Sequence, residues 1–307
     1  MEQQANKRKG AILAIMGALM WGIQGPISQF LFQNMNLPTE WLMGVKMTLA
    51  GIVILIFTTV KYGKQELVGP WKNPKDAIQL VCYALFGLAM VQYMYFLTIR
   101  ASDAGTATIL QSLGTVLIII FTAIIYHRLP SRNETIAVII AIVGTWLLVT
   151  KNGSFHELSI SKEALIFGLL LATGGALQTM IPVSLLKKYR SFTLLGWGML
   201  MGGLLFTCVH PFWKNPPVMN METILGLGFI VIFGTVLSYI CFTTSLNYIS
   251  ATSAGLLDAF EPASATLGAV LFLGTTFTIS QVVGGLLVLS TVFILAIPDK
   301  KGGEHHG

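Results

Sequence analysis

Ten apolar stretches of about 20 residues, parted only by short polar or Pro/Gly-bearing loops, leave this chain little choice of surroundings. A helix rising ~1.5 Å per residue crosses the ~30 Å hydrocarbon core of a bilayer in roughly 20 residues. The stretches are residues 10–32, 40–61, 75–98, 104–126, 133–150, 163–186, 192–212, 222–245, 253–273 and 278–297, termed spans 1 to 10. Only 10% of the residues are charged and 54% are hydrophobic. A soluble domain carries about 25% charged residues, so this chain lacks the polar side chains to cover a water-facing surface. Its net charge of +6 is therefore an orientation signal and not a nucleic-acid footprint. Residues 10–32 are too long for the apolar core of a cleavable signal peptide, and no small-residue cleavage site follows them. The expected fold is all-α and polytopic, in the cytoplasmic membrane.

Basic residues orient the spans. Of the 19 Lys and Arg residues, only Arg100, Lys151, Lys162 and Lys214 fall on the side opposite the N-terminus, and Lys46 lies inside span 2. The rest, including Lys7–Lys9, Lys61, Arg132, Lys187, Lys188, Arg190, Lys300 and Lys301, share the N-terminal side. The positive-inside rule then places both termini in the cytoplasm, as an even number of spans requires.

The two halves echo one another. Gly10–Leu19 reads GAILAIMGAL and Gly168–Leu177 reads GLLLATGGAL. Further on, at a spacing of about 147, Phe86-Gly87 matches Phe233-Gly234, while Ala104, Ala107 and Leu110 match Ala251, Ala254 and Leu257. Trp71-Lys-Asn-Pro74 recurs as Trp213-Lys-Asn-Pro216. Five spans per half make the second half enter the membrane from the opposite side, an inverted repeat of the kind that recurs among transporters. The expected organisation is a cytoplasmic tail 1–9, a first five-helix repeat 10–150, an external connection 151–162, a second repeat 163–297 and a cytoplasmic tail 298–307.

Several motifs now point to a family. They are Ala18-Leu-Met-Trp21-Gly22 in span 1, Lys46-Met-Thr-Leu-Ala-Gly51 in span 2, Leu257-Asp-Ala-Phe-Glu261-Pro262 in span 9, and Leu273-Gly274 followed by Gln281, Gly284 and Gly285. With them the chain resembles the EamA-type members of the drug/metabolite transporter superfamily. Thr275 and Arg128 stand where that family carries an acidic residue, and Thr115 where a proline is usual in span 4. The resemblance implies a secondary transporter and leaves the substrate open.

Ionisable groups within spans need a reason, because a charge at the bilayer centre costs about 2.5–3.5 kcal/mol. Three stand out: Lys46, Asp258 and Glu261. The two acids, at i and i+3, share one helix face, with Glu261 on the order of 12 Å from the end of its helix. They line a central cavity and couple transport, or Lys46 pairs with Asp258 or Glu261 and merely locks the helices together, or Asp258 reaches the interface. Pro262 removes a donor in mid-helix, and either frees a carbonyl toward the cavity or simply kinks the helix. By the repeat spacing Gln111 answers to Asp258 and Gly114 to Glu261, so the acid belongs to one half only. Trp21, Gln24, Gln92, Tyr93, Tyr95, Gln178, Tyr239 and Asn247 are further candidates for the lining. Trp41, Tyr62, Trp71, Tyr126, Tyr189 and Trp213 fall at span ends and read as interfacial anchors.

The expected function is secondary active transport of a small polar metabolite, an amino acid, amine or related compound, by alternating access. Export is the first reading, and coupled import or exchange the alternative. A membrane enzyme is the alternative of another class, but His127, His156, His210, His305 and His306 are scattered and form no catalytic set. Cys82, Cys208 and Cys241 lie in spans with no metal-ligand spacing, so no metal, cofactor or disulfide is expected. The expected partners are the small-molecule substrate, the lipid bilayer and a coupling proton or ion, with no nucleic acid, in a monomer or homodimer.

Overall fold

The computed structural model describes residues 2–154, 157–214 and 216–297. Met1, His156, Asn215 and the tail 298–307, with Lys300, Lys301, His305 and His306, lie outside the described residues. Among the described residues no strand forms, and extended backbone pairs only at the bridge between Thr150 and Leu158.

Ten helices are long and apolar enough to cross a membrane: Asn6–Asn34, Thr39–Tyr62, Pro74–Ala101, Ala104–Ile125, Arg132–Val149, Lys162–Leu186, Ser191–Val209, Met221–Ser245, Thr252–Leu273 and Ile279–Ala296. They coincide with the ten apolar stretches to within a few residues. The boundaries follow local chemistry. Asn73, Asp103, Ser131, Ser161, Asn220, Ser250 and Thr278 each cap a helix start through the side chain, satisfying backbone donors that the helix itself cannot. Gly274, at φ +65°, ends span 9 in the left-handed conformation that glycine tolerates. Ile56, Val60, Ile142, Leu271 and Phe272 point outward, a surface suited to lipid and not to water.

The halves are interleaved. Span 2 packs along span 7, and span 5 along span 10. Span 1 packs on spans 8 and 9 of the other half, and span 6 on spans 3 and 4. Exchanging each span with the one five places along carries these main pairings into one another. The span 2–span 7 seam repeats the same exchange in detail. A Cβ on Gly51 would strike the backbone of Leu200, and one on Gly203 would strike that of Thr48, so both contacts require glycine. At the same spacing Lys46 answers to Gly198, so this charge too belongs to one half alone.

Four spans depart from regular α-helix, and span 6 does so through a turn between Met180 and Val183. Span 3 contains a π-helical segment, Tyr83–Ala89, and span 8 contains another, Phe229–Leu237. The two overlap when shifted by the repeat spacing. Span 9 breaks between Leu257 and Phe260. Pro262 has no N–H to offer the Asp258 carbonyl, and that carbonyl instead accepts the Glu261 N–H at 2.9 Å. That carbonyl is thus satisfied, and what the proline produces is a step in the helix.

Candidate functional site

A cavity of about 310 Å³ lies between two groups of helices. Trp21, Gln24, Tyr239, Phe242, Asp258 and Glu261 come from spans 1, 8 and 9; Val91, Gln92, Tyr95, Gln111, Gly175, Gln178 and Thr179 come from spans 3, 4 and 6. Both π-helical segments lead directly into lining residues. Gln92 and Tyr95 follow the first, and Tyr239 and Phe242 follow the second. A π turn inserts one residue and rotates everything beyond it, which is why such turns gather at functional sites.

Glu261 sits in the first turn after the break in span 9 and is only 8% exposed. Gln111 of span 4 donates from Nε2 to Glu261 Oε1 at 3.3 Å. The residue read as the first-half counterpart of Asp258 therefore touches Glu261. Asp258 occupies the break itself, and its Oδ1 is buried with no hydrogen-bond partner. The Tyr95 hydroxyl is in the same condition. Unsatisfied buried polar atoms cost about 1–3 kcal/mol each, and both of these belong to residues of the cavity wall. Trp21 meets Tyr239 edge-on, with ring centroids 4.8 Å apart, and Phe242 at 5.1 Å. Trp21 thus belongs to the cavity wall.

Lys46 is fully buried, and the ion pair with Asp258 or Glu261 does not form. Instead Lys46 Nζ donates to Gln92 Oε1 at 2.8 Å and lies 4.5 Å from the centre of the Phe96 ring. The physical reason is position: Gln92 stands between Lys46 and the cavity. Its Nε2 donates onward to the Tyr239 hydroxyl at 3.4 Å. Gln92 and Tyr239 are separated by the repeat spacing, 147 residues, so equivalent positions of the halves meet here. Lys46 binds the amide oxygen, which turns the amide nitrogen toward the cavity side.

Of the twelve residues offered for the site, nine line one cavity, and Lys46 stands one hydrogen bond behind them. Tyr93 turns away to donate to Glu40, and Asn247 lines a different cleft at the N-terminal end of the bundle. Trp41 is 4% exposed and donates from Nε1 to the Phe212 carbonyl at 2.8 Å, tying the start of span 2 to the loop after span 7. Sequence reasoning missed Val91, Gly175, Thr179 and Phe242. Phe242 was within reach, because it is Tyr95 advanced by the repeat spacing. Gln29 was missed as well. It accepts from the Ala104 N–H at 2.9 Å and donates to Thr275 Oγ1 at 3.4 Å, tying span 1 to the start of span 4 and to the loop after span 9.

Comparison with known proteins bears on the family and the fold. The EamA-like transporter family matches residues 8–150 and again residues 162–297. An uncharacterized inner membrane transporter of Salmonella typhimurium, YicL, is 30% identical over 294 residues, covering 96% of this chain and 97% of that one. The threonine/homoserine exporter RhtA of Salmonella typhimurium is 24% identical over 235 residues, covering 74% of this chain and 72% of that one. A solved structure superposes with a TM-score of 0.62 at 15% identity, covering 93% of this chain and 96% of the other. That likeness concerns the fold alone.

Proposed function

The chain belongs to the EamA-like transporter family, and from that premise we propose a proton-coupled secondary transporter that exports a small polar metabolite bearing an amino group. It is a multi-pass membrane transporter; cargo, direction and coupling are our reading. The carrying observation is the cavity whose acids, Asp258 and Glu261, come from one half only. An ammonium end seats against these carboxylates, and the Gln92 amide and the Tyr95 and Tyr239 hydroxyls meet the polar remainder. The related threonine/homoserine exporter supports an amino group in the cargo and the outward direction.

Alternating access is supported by the exchange of packing pairs between residues 10–150 and 163–297, read as inverted repeats joined by the external connection 151–162. Basic residues orient both termini to the cytoplasm of a cell whose cytoplasmic membrane holds the chain. The cavity draws on two groups of three spans, and access alternates as these groups rock about it. Gln29 closes the side away from the N-terminus in the present state and must release Ala104 and Thr275 in the other.

The test uses proteoliposomes, a panel of amino acids and amines, and an imposed proton gradient. Glu261→Gln keeps the shape and the Gln111 contact but removes the charge. A charge-assisted hydrogen bond is worth about 1.5–3 kcal/mol, so apparent affinity for the cargo should fall roughly 10- to 150-fold. Gradient-driven accumulation should be lost with it. Wild-type transport by a folded Glu261→Gln protein sinks both the binding and the coupling role.

A further inference from the structure

A second cavity, of about 450 Å³, opens at the N-terminal end of the bundle, between the ends of spans 2, 7 and 8 and the loop that joins spans 6 and 7. Transport makes no use of it in the account above. Its wall carries Lys187, Lys188, Arg190, Glu66, Tyr62 and Ser191. Lys188 is committed to Asp76, with Nζ–O distances of 2.8 and 3.2 Å. Arg190 lies 4.1 Å from the centre of the Tyr62 ring and has Glu66 at 3.6 Å. Lys61 approaches the same ring at 5.3 Å. Lys187 has no acidic partner among the described residues. Lys187 and the Glu66-paired Arg190 thus line a chamber that holds one carboxylate, and Lys61 flanks it across the Tyr62 ring. Basic residues gathered at the level of the headgroups attract anions of the adjoining leaflet. Span 7 also begins here, at Ser191, and no side chain caps that end. Its free backbone donors and positive dipole end face the same space.

A third cavity explains what the anion belongs to. It is an apolar groove of about 300 Å³ lined by Ile52, Leu55, Ile56, Thr59 and Val60 of span 2. Residues 52, 55 and 59 form one helical stripe, and the next position on that stripe is Tyr62, at the rim of the basic chamber. Headgroup chamber and apolar groove are therefore consecutive along one helix face, with the polar part at the bundle end and the apolar part toward the bilayer core. Ile56 and Val60 are open to the lipid.

We propose that this composite site binds an anionic phospholipid of the adjoining leaflet, its phosphate held by Lys187, Arg190 and the start of span 7, and an acyl chain laid along Ile52–Val60. A zwitterionic lipid brings its own cation into the chamber and is disfavoured. Free phosphate shares the headgroup chemistry but has no use for the groove.

Native mass spectrometry of the detergent-purified chain, offered phosphatidylglycerol and phosphatidylcholine at equal concentration, tests the assignment. Phosphatidylglycerol should bind preferentially. Lys187→Gln with Arg190→Gln should weaken it about 25-fold, from roughly fivefold per cation near a membrane surface. Ile56→Trp, which fills the groove, should weaken phosphatidylglycerol and leave inorganic phosphate binding unchanged. Lys187→Gln alone removes an exposed side chain with no ion pair, so its thermal midpoint should match the wild type while its lipid affinity drops. Equal binding of the two lipids, or wild-type affinity in the double variant, overturns the site. Displacement of the lipid by inorganic phosphate together with wild-type affinity in Ile56→Trp overturns the lipid in favour of a free anion.

Discussion

Replacing Lys46 by methionine tests how a lone cation survives at the centre of this bundle. The insertion penalty for such a charge is about 2.5–3.5 kcal/mol. Two contacts oppose it. The hydrogen bond to Gln92, at 2.8 Å, is worth about 1.5–3 kcal/mol as a charge-assisted pair. The Phe96 ring, at 4.5 Å, adds about 0.5–2 kcal/mol. Penalty and gains nearly cancel. Methionine keeps the length and the packing of the stem, so Lys46→Met should shift stability by no more than about 2 kcal/mol, a small effect for so buried a residue. The informative quantity is the coupling, measured by double-mutant cycles on reversible unfolding in mixed micelles. Lys46→Met and Gln92→Leu share one bond and should be non-additive by about 1.5–3 kcal/mol. Lys46→Met and Glu261→Gln share no partner and should add to within about 0.5 kcal/mol. A coupling above about 1.5 kcal/mol in the second cycle, the size seen for close charge pairs, would refute the separation of Lys46 from the acids.

Two other substitutions probe the helix breaks and seams. Pro262→Ala restores a donor for the Asp258 carbonyl and should make span 9 continuous, raising the thermal midpoint while lowering cargo counterflow in proteoliposomes; unchanged counterflow would show that the step in span 9 is not needed. Gly203→Val forces a branched side chain into the backbone of Thr48 and should cost at least about 1–3 kcal/mol, read as a lower thermal midpoint and a smaller monodisperse yield, whereas tolerance would contradict the close span 2–span 7 contact.

Span positions were legible because the bilayer imposes one length and one polarity on every crossing helix, and Gly10 or Ile279 could be placed from that alone. The cavity was legible for a related reason. Gln24, Gln92, Gln178 and Glu261 are costly in hydrocarbon unless they meet one another, so polar residues in separate spans converge. What stayed hidden depended on direction within the helix. Lys46 looked like a partner for the acids because composition says only that opposite charges coexist; that Gln92 intervenes is decided by the π turn at Tyr83–Ala89, which has no pattern in the sequence. Apolar Val91 and Gly175 carry no mark separating the cavity wall from the helix seams. The clamp of Trp41 on Phe212 joins residues far apart in the chain, beyond any local pattern.

The packing of span 1 on spans 8 and 9 also has a consequence for how the protein is made. Span 1 finds its main neighbours, spans 8 and 9, only after Leu273 has been synthesised. At about 5–20 residues per second that is a wait of roughly 10–50 s. During it Trp21 and Gln24 sit in the membrane without the span 8 residues Tyr239, Phe242 and Thr235 that they later meet. Biogenesis of this chain is therefore most exposed in its middle, and a translational stall between spans 6 and 8 should send more of it to quality control than a stall of equal length after span 9.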